Sequence, residues 1–559
     1  MLYDVAASSE KGMRTAVLLC EDLANLGTGL NLEELRSSLE ANFPSIAVEV
    51  VPDLCGHLAQ LSSVATRRGA AWAVLGLCSG DYSQIELQAR ARKAGLDPFG
   101  LEVVPLGTLC ARVHPEPQAT WKAKMLLGAA VARAQAFQGS GPEHAKLYFL
   151  PRDQKVTRRS LFTIPPVGYR PVPAIREQQC AAEAGCQFCI RVCPRDALQK
   201  IGGHISLDKS RCEGCGVCLA ACPREAIDFP GWSLAQFEAQ LAALLDSARL
   251  GHESFGFLFT CQRAVGKLEE LARQGVSYCH QWLPVVVPCL GIVTPTWILQ
   301  SLAYGTEVVA LLFCGAGCPL GQGQIIGGRA SFCRQLLRRL GQAPERVRVL
   351  NASHAERLLQ ALQEPPPRRE SGHQRKTGDN LHLGTLKGAF QSIQCLAAAG
   401  HSSSEVVLEH SHSPFGVVEL RAEGCTGCLA CSEVCPTGAL ASERNGDGMT
   451  LTYLASSCTG CGMCFEVCPE SAAQVLRVRS LTNLDILSRG KVVLHKNQFA
   501  ICEGCGASIA SQTLLRRIEA SLEGSDEALQ IALTRYCPSC RISFVWGAKF
   551  SSIQHGERT

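Results

Sequence analysis

Four short runs of cysteine constrain this sequence more than any other feature. Each run has four cysteines and a proline at or near the spacing C-x2-C-x2-C-x3-C-P, and the first run has three extra residues between its first two cysteines. Such segments contain too few apolar residues for an ordinary core, so bound metal is expected to hold them together. The runs contain Cys180, Cys186, Cys189 and Cys193; Cys212, Cys215, Cys218 and Cys222; Cys425, Cys428, Cys431 and Cys435; and Cys458, Cys461, Cys464 and Cys468.

The spacing is that of two-cluster ferredoxins, in which each run gives three thiolates to one [4Fe–4S] cluster and its fourth thiolate to the other cluster. We expect the fourth cysteine to leave on a helix. Zinc binding and chance are poor alternatives, because all four runs share the C-P ending. The sequence therefore predicts four [4Fe–4S] clusters, held by Cys180, Cys186, Cys189 and Cys222; by Cys212, Cys215, Cys218 and Cys193; by Cys425, Cys428, Cys431 and Cys468; and by Cys458, Cys461, Cys464 and Cys435.

The cysteine count also bears on the cellular compartment. The chain has 559 residues and 31 cysteines, whereas disulfide frameworks suit short secreted chains. The segment 1–14 has no basic stretch followed by an apolar one, as a secretory signal would. We therefore expect reduced thiolates that hold metal, in the cytoplasm of an anaerobic cell.

Charge and hydropathy exclude two other classes of protein. Lys and Arg number 54 against 50 Asp and Glu, which is too balanced for a nucleic-acid-binding surface. The segment 281–305 has no charged residue and is long enough to span a bilayer, but Pro284, Pro288, Gly291 and Pro295 interrupt it. We predict two buried strands with a helix between them instead, and no membrane span.

Outside the ferredoxin runs, short apolar segments alternate with amphipathic ones, as in parallel sheets covered by helices. The expected fold class is a multidomain α/β protein with small α+β modules. We predict a parallel-sheet α/β domain at 1–145, a ferredoxin module at 173–230, a second parallel-sheet α/β domain at 250–362, a linker at 363–382, a second ferredoxin module at 415–475 and a four-cysteine module at 490–550.

The four-cysteine module has two C-x2-C pairs, Cys502 with Cys505 and Cys537 with Cys540, separated by a predicted helix. This pattern is typical of a structural zinc site with four thiolates. A further iron–sulfur cluster and an empty site are the alternatives, although neither pair continues into the ferredoxin spacing.

Four cysteines of the second α/β domain follow predicted strands: Cys261, Cys289, Cys314 and Cys318. Sites in parallel sheets form at the carboxyl ends of strands, and buried core thiols are the alternative. The segments FTCQ, VVPCLG, LLFCGAGC and GQAPERVRVLNAS resemble the delta subunit of methyl-viologen-reducing hydrogenase. The resemblance implies one [2Fe–2S] cluster on these four cysteines, with Cys279 as a substitute ligand because the family usually has extra cysteines beside the first. Cys333 and Cys395 are expected to be buried thiols.

The first domain has four scattered cysteines, each after a predicted strand: Cys20, Cys55, Cys78 and Cys110. The segments LLCEDLANLGTGLNLEEL, GLCSGDY, RKAGLDPFGLEVV and LCARVHPEPQATWKAK resemble the N-terminal domain of HdrA, the flavin-bearing subunit of heterodisulfide reductase. The resemblance implies a fifth [4Fe–4S] cluster on these cysteines, while their wide spacing leaves four structural thiols as the alternative.

The resemblance to HdrA ends where that protein carries its flavin domain, because no G-x-G-x-x-G turn follows a strand here. We therefore expect no FAD or NAD. The chain resembles electron-transfer subunits of bifurcating complexes, such as heterodisulfide reductase and class II benzoyl-CoA reductase. It would relay electrons from a flavin, hydrogenase, formate dehydrogenase or ferredoxin to a catalytic reductase subunit, with flavoprotein, hydrogenase or reductase subunits as partners. We recognise no catalytic residues, and a flavin-dependent reductase in its own right is the alternative.

Overall fold

The computed structural model describes residues 14–57, 70–80, 84–141, 144–149, 167–250, 254–367, 385–400, 406–445, 448–524 and 526–545. The chain divides into two compact units. One unit comprises Met1–Cys180 with Gln187–Ser403, and the other comprises Ala181–Cys186 with Ser404–Thr559.

The first unit begins with a four-stranded parallel sheet in the order β2-β1-β3-β4. The helix after β1 starts at Asn31, whose side-chain oxygen accepts a hydrogen bond from the amide of Glu34 at 3.0 Å. The strands are β1 (Arg14–Cys20), β2 (Ile46–Val51), β3 (Ala70–Gly76) and β4 (Leu101–Val104). The helices are α1 (Leu32–Asn42), α2 (Gln84–Lys93) and α3 (Gln118–Gln135).

The first ferredoxin segment follows an antiparallel hairpin of β5 (Ala145–Phe149) and β6 (Val167–Pro171). Its elements are short, as expected for a segment organised around metal rather than around a core. They are β7 (Ala174–Ile175), α4 (Phe188–Arg191), β8 (Leu198–Ile201), β9 (His204–Leu207), α5 (Val217–Ala221) and β10 (Ile227–Asp228). Strand β7 pairs with β10, and β8 pairs with β9, both antiparallel.

A second parallel sheet follows, in the order β12-β11-β13-β14. Its apolar strands are buried on both faces, because helices cover both sides. The elements are α6 (Leu234–Leu250), β11 (Gly256–Cys261), α7 (Gln262–Arg273), β12 (Trp282–Val287), α8 (Pro295–Tyr304), β13 (Val308–Phe313), α9 (Gly323–Arg339), β14 (Val347–Asn351), α10 (Ala355–Gln363) and α11 (Leu386–Ala399).

The two parallel sheets share one hydrophobic core. Val17 and Leu75 of the first sheet belong to the same buried cluster as Leu258 and Leu312 of the second. The Lys122 ammonium on α3 donates a hydrogen bond to the Tyr278 hydroxyl at 3.1 Å, so polar contacts also join the two domains.

The second unit contains two antiparallel sheets, β15-β19-β16 and β17-β18-β20-β21. Its elements are β15 (Val407–Glu409), β16 (Gly416–Leu420), α12 (Ala430–Glu433), β17 (Leu440–Asn445), β18 (Gly448–Leu454), α13 (Met463–Glu466), β19 (Leu476–Asn483), α14 (Leu484–Ser488), β20 (Lys491–Ile501), β21 (Ser508–Ser511), α15 (Gln512–Ser521) and α16 (Glu527–Arg535).

The prediction of mixed α/β structure with parallel sheets is confirmed. The uncharged segment 281–305 forms β12 and α8, and β13 follows it. Among the described residues, no helix is both long and apolar enough to cross a bilayer. Most of the predicted linker at 363–382 lies outside the described residues, and the other domain boundaries stay predictions.

Candidate metal centres

Three cavities of the structure are each lined by four ferredoxin cysteines. In each cavity, three cysteines come from one run and the fourth comes from the neighbouring run, although more than thirty residues separate Cys468 from Cys431. The three sets are Cys212, Cys215, Cys218 and Cys193; Cys425, Cys428, Cys431 and Cys468; and Cys458, Cys461, Cys464 and Cys435. This is the crossed arrangement that two-cluster ferredoxins use.

The helices of these modules lie elsewhere than the sequence pattern predicts. Each short helix carries the third cysteine of its run and ends before the fourth, as α5 carries Cys218 and α13 carries Cys464. The expectation that the fourth cysteine leaves on a helix is therefore wrong. In three of the runs the chain instead turns after the C-P, because the amide four or five residues after the fourth cysteine donates a hydrogen bond back to its sulfur.

These amide–sulfur hydrogen bonds recur in three runs. The amide of Ala197 lies 3.3 Å from Cys193 Sγ, and the amide of Ala226 lies 3.3 Å from Cys222 Sγ. The amide of Leu440 lies 3.4 Å from Cys435 Sγ. Such donors stabilise a thiolate and tune the potential of a cluster bound to it, so the residues present fit iron–sulfur ligation.

Burial raises the pKa of two other ferredoxin thiols. Desolvation raises the pKa of Cys215 to about 11 and the pKa of Cys431 to about 12, with the charges of neighbouring cysteines as a further cause. Without metal, these thiols keep their protons at neutral pH. Metal binding must release those protons, so loading of the sites depends on pH.

The remaining predicted set of ferredoxin ligands is divided between the two units. Cys180, Cys189 and Cys222 belong to the first unit, and Cys186 belongs to the short segment grouped with the second unit. This ligand set therefore stays a prediction of the spacing.

The second parallel sheet brings its predicted cysteines to the carboxyl ends of its strands. Cys261 ends β11, and Cys289 and Cys314 follow β12 and β13. Burial raises the pKa of Cys314 to about 12, with the charges of Cys261 and Cys318 as further causes. Cys261 and Cys318 therefore lie close enough to Cys314 to affect its pKa.

The loop after Cys289 is held in place by two interactions. The amide of Gly291 donates to Cys289 Sγ at 3.4 Å. The Arg329 guanidinium donates to the carbonyl oxygens of Gly291 at 2.7 Å and of Val293 at 2.9 Å. This loop therefore combines an amide donor to sulfur with a nearby positive charge.

The same loop packs directly on a ferredoxin loop of the first unit. A Cβ atom added to Gly216 would lie 2.9 Å from Ile292 Cδ1, and one added to Gly291 would lie 2.8 Å from Val217 Cγ2. The charge of Cys215 also raises the pKa of Cys289, after burial. The cavity of Cys212, Cys215, Cys218 and Cys193 is thus a direct neighbour of the cysteines of the second parallel-sheet domain, which we call the central domain.

The C-terminal cysteines form a compact four-thiol group. The sulfurs of Cys502, Cys505, Cys537 and Cys540 all lie within 4.8 Å of one another. Cys505 Sγ and Cys537 Sγ are 3.6 Å apart, close to the edge of about 3.8 Å that a tetrahedron of Zn–S bonds requires. The backbone amide of Cys537 donates to Cys502 Sγ at 3.2 Å, and this hydrogen bond lowers the pKa of Cys502 to about 6.

The first domain brings three of its four candidate cysteines together. The sulfurs of Cys20, Cys55 and Cys78 lie within 4.8 Å of one another, and the backbone amide of Cys78 donates to Cys55 Sγ at 3.2 Å. Cys110 lies outside this group. It sits in the buried helical turn Gly107–Ala111 after β4, which faces the Lys122 ammonium.

The other three cysteines make local contacts. Cys279 Sγ donates to Gln281 Oε1 at 3.4 Å. Cys333 Sγ lies 4.0 Å from the Pro295 carbonyl oxygen, and Cys395 Sγ lies 3.7 Å from the Ala303 carbonyl oxygen.

Comparison with known protein families identifies three segments. Residues 257–364 match the methyl-viologen-reducing hydrogenase delta subunit. Residues 418–469 match a 4Fe-4S dicluster domain, and residues 205–228 match a 4Fe-4S binding domain. No similar protein was found among curated proteins. The chain therefore contains a delta-subunit-like domain and 4Fe-4S ferredoxin domains, which together support a role in iron–sulfur electron transfer.

Proposed function

We propose that this chain is an electron-relay subunit of a cytoplasmic, anaerobic redox complex. The observation that carries the proposal is the packing of the Cys289 loop on the ferredoxin loop of Gly216 and Val217. Electron transfer between two centres needs a short path, and this contact joins two candidate centres of different type within one unit.

The proposed cofactors are four [4Fe–4S] clusters, one [2Fe–2S] cluster and one Zn²⁺. The four ferredoxin sets would hold the [4Fe–4S] clusters, including the set of Cys180, Cys186, Cys189 and Cys222. The [2Fe–2S] cluster would be held by Cys261, Cys289, Cys314 and Cys318. Zn²⁺ would occupy the C-terminal group, where four thiolates leave no open coordination position and the role is structural. Bound clusters supply one-electron redox chemistry, and this chain's residues position them and set their potentials.

The proposed partners are other redox subunits. A flavoprotein, hydrogenase, formate dehydrogenase or ferredoxin would supply electrons, and a catalytic reductase subunit would accept them. The resemblance of the first domain to HdrA of heterodisulfide reductase, without the HdrA flavin domain, favours a bifurcating complex in which flavin lies on a partner. Class II benzoyl-CoA reductase assemblies are one complex of this kind.

The test is an anaerobic purification with iron and flavin analysis. We expect about 18 irons per chain, from four cubanes and one [2Fe–2S] centre, and no bound flavin. An iron content of about four or fewer after anaerobic reconstitution would contradict the multi-cluster relay. Stoichiometric flavin would favour a reductase in its own right.

A variant then tests the central centre. Cys289→Ser should remove a [2Fe–2S] signal in electron paramagnetic resonance and leave the cubane signals in place. Cys333→Ala is the matched control, because Cys333 is buried in α9 of the same domain and contacts a carbonyl oxygen instead of the other thiols. A full spectrum in the Cys289→Ser protein would show that these thiols are structural.

A further inference from the structure

The two parallel-sheet domains repeat one topology. In both sheets the first strand is central, the second and third strands flank it, and the fourth strand lies beyond the third. The cysteines repeat as well: Cys20 and Cys261 end the first strands, Cys55 and Cys289 follow the second strands, and Cys78 and Cys314 follow the third. The first domain therefore has a cysteine at each of the three strand ends where the central domain has Cys261, Cys289 or Cys314.

The repeat breaks at the fourth ligand. In the central domain, Cys318 lies four residues after Cys314, whereas the residue four positions after Cys78 is Tyr82. Cys110 does not compensate. It is fully buried beside Lys122, and it lies outside the group in which the sulfurs of Cys20, Cys55 and Cys78 meet.

The spacing of the three sulfurs indicates the kind of metal. Within the described residues, only this trio and the C-terminal group place three or more ligand atoms within 4.8 Å of one another. The ferredoxin sets are wider, as a cubane requires because each thiolate binds a separate iron. A single ion instead gathers its thiolates at the corners of one tetrahedron, about 3.8 Å apart.

A carboxylate lies beside the trio. Cys20 Sγ donates to Asp22 Oδ2 at 3.5 Å, and Asp22 is the second residue of the short helical turn Glu21–Ala24 directly after β1. Asp22 lies outside the 4.8 Å group, as Cys110 does. Its side chain is exposed, so it can move towards an ion without losing packing, whereas Cys110 is fully buried. Carboxylate oxygen is an accepted fourth ligand of zinc.

We infer that the first domain holds a single zinc-type ion on Cys20, Cys55 and Cys78, with the Asp22 carboxylate as the fourth ligand. The ion joins the ends of β1 and β3 to the turn after β2. This site is additional to the cofactors of the proposed relay. It is tested by measuring bound zinc rather than electron transfer.

The experiment measures zinc and iron per full-length chain, purified anaerobically. We expect about two zinc ions in the unaltered protein, one at this site and one at the C-terminal group. Cys55→Ser should remove one zinc and leave iron unchanged. Cys537→Ser should remove the other zinc, and the double variant should retain neither.

Two further variants test the fourth ligand. Asp22→Asn should make this zinc at least about 10-fold easier to remove with a chelator, and Asp22→Cys should restore or exceed the original retention. Cys110→Ser is the matched control and should retain zinc unchanged. Because Asp22 is exposed, its variants test the site even if Cys55→Ser fails to fold.

Three results would overturn the inference. Loss of about four irons in the Cys55→Ser protein would show that the trio holds a cubane. Zinc loss in the Cys110→Ser protein, with unchanged retention in the Asp22→Asn protein, would show that the Cys110 thiol is the fourth ligand. Unchanged zinc in the Cys55→Ser protein would show three structural thiols. None of these results removes the other clusters, so they are distinguishable from a failure of the relay proposal.

Discussion

Arg329 places a positive charge beside the loop that follows Cys289. Burial lowers the pKa of Arg329 to about 10, and the thiols of Cys289 and Cys333 oppose this shift. The guanidinium therefore stays charged at neutral pH. Reduction of a cluster adds negative charge, so a fixed nearby cation stabilises the reduced form.

Arg329→Gln is therefore expected to lower the midpoint potential of the centre on Cys289 by tens of millivolts. Arg329→Lys keeps the charge and should leave the potential close to its original value. A redox titration followed by electron paramagnetic resonance measures both. Equal potentials in the unaltered protein and both variants, at equal iron content, would show that this charge does not act on the centre.

At the residue scale, spacing predicts partners only where the ligands belong to a fixed run pattern. The grouping of Cys468 with Cys425 follows from the run pattern, and the structure places both sulfurs at one cavity. Cys110 shows the limit. A cysteine after a strand can face the sheet edge or the core, and the helical turn Gly107–Ala111 directs it to the core. No periodicity in the sequence indicates whether Cys110 faces the sheet edge or the core.

At the scale of elements, the two ferredoxin helices of the second unit position the third cysteine of each run. Helix α12 carries Cys431 and α13 carries Cys464. Each helix ends two residues before the fourth cysteine of its run. The residue before each helix has a positive φ, at Leu429 and Gly462. Leu429 adopts this conformation without being glycine, which indicates that the ligand loop constrains it.

Cys468→Ser is expected to perturb the centre of Cys425, Cys428 and Cys431 and to leave the centre of the fourth run fully thiolate-ligated. The reason is that Cys468 lines the cavity of the third run, although it follows the fourth. Cys464→Ser is the matched control and should perturb the other centre. Mössbauer spectra of the two variants distinguish the sites. The same altered spectrum in both proteins would exclude crossed ligation.

The position of these helices could not be taken from the sequence. The pattern C-x3-C-P suggests a helix that starts at the proline, because proline is favoured in a first turn. In the structure, the amide of Leu440 returns to Cys435 Sγ and the chain turns instead. Hydrogen bonding to the sulfur therefore outweighs the preference of proline for the first turn of a helix.

At the scale of the molecule, the two parallel sheets share a core that the sequence does not reveal. The βαβ rhythm predicts each sheet, because alternating apolar and amphipathic segments have a known packing. It does not say which apolar faces meet, so the joint burial of Val17 and Leu258 appears only in the structure. The first domain and the central domain are therefore expected to unfold together.

Cofactor loading should change the charge of the whole chain. The polypeptide has a formal net charge of +4, and each [4Fe–4S] cluster with its four thiolates adds about −2. Four clusters bring the charge to about −4. The loaded protein is therefore expected to focus at a lower pH than the metal-stripped protein in native isoelectric focusing. An unchanged focusing position would show that the cysteines do not ionise on loading.

The packing of Ile292 on Gly216 also sets an order of events during synthesis. The cysteines of the second run leave the ribosome before the loop that covers them, because about 70 residues separate Cys222 from Ile292. At about 5–20 residues per second, translation of that stretch takes roughly 4–14 seconds. Iron and sulfide delivery to this loop thus has an interval of several seconds before the central domain closes over it, and slower translation of residues 222–292 would lengthen that interval.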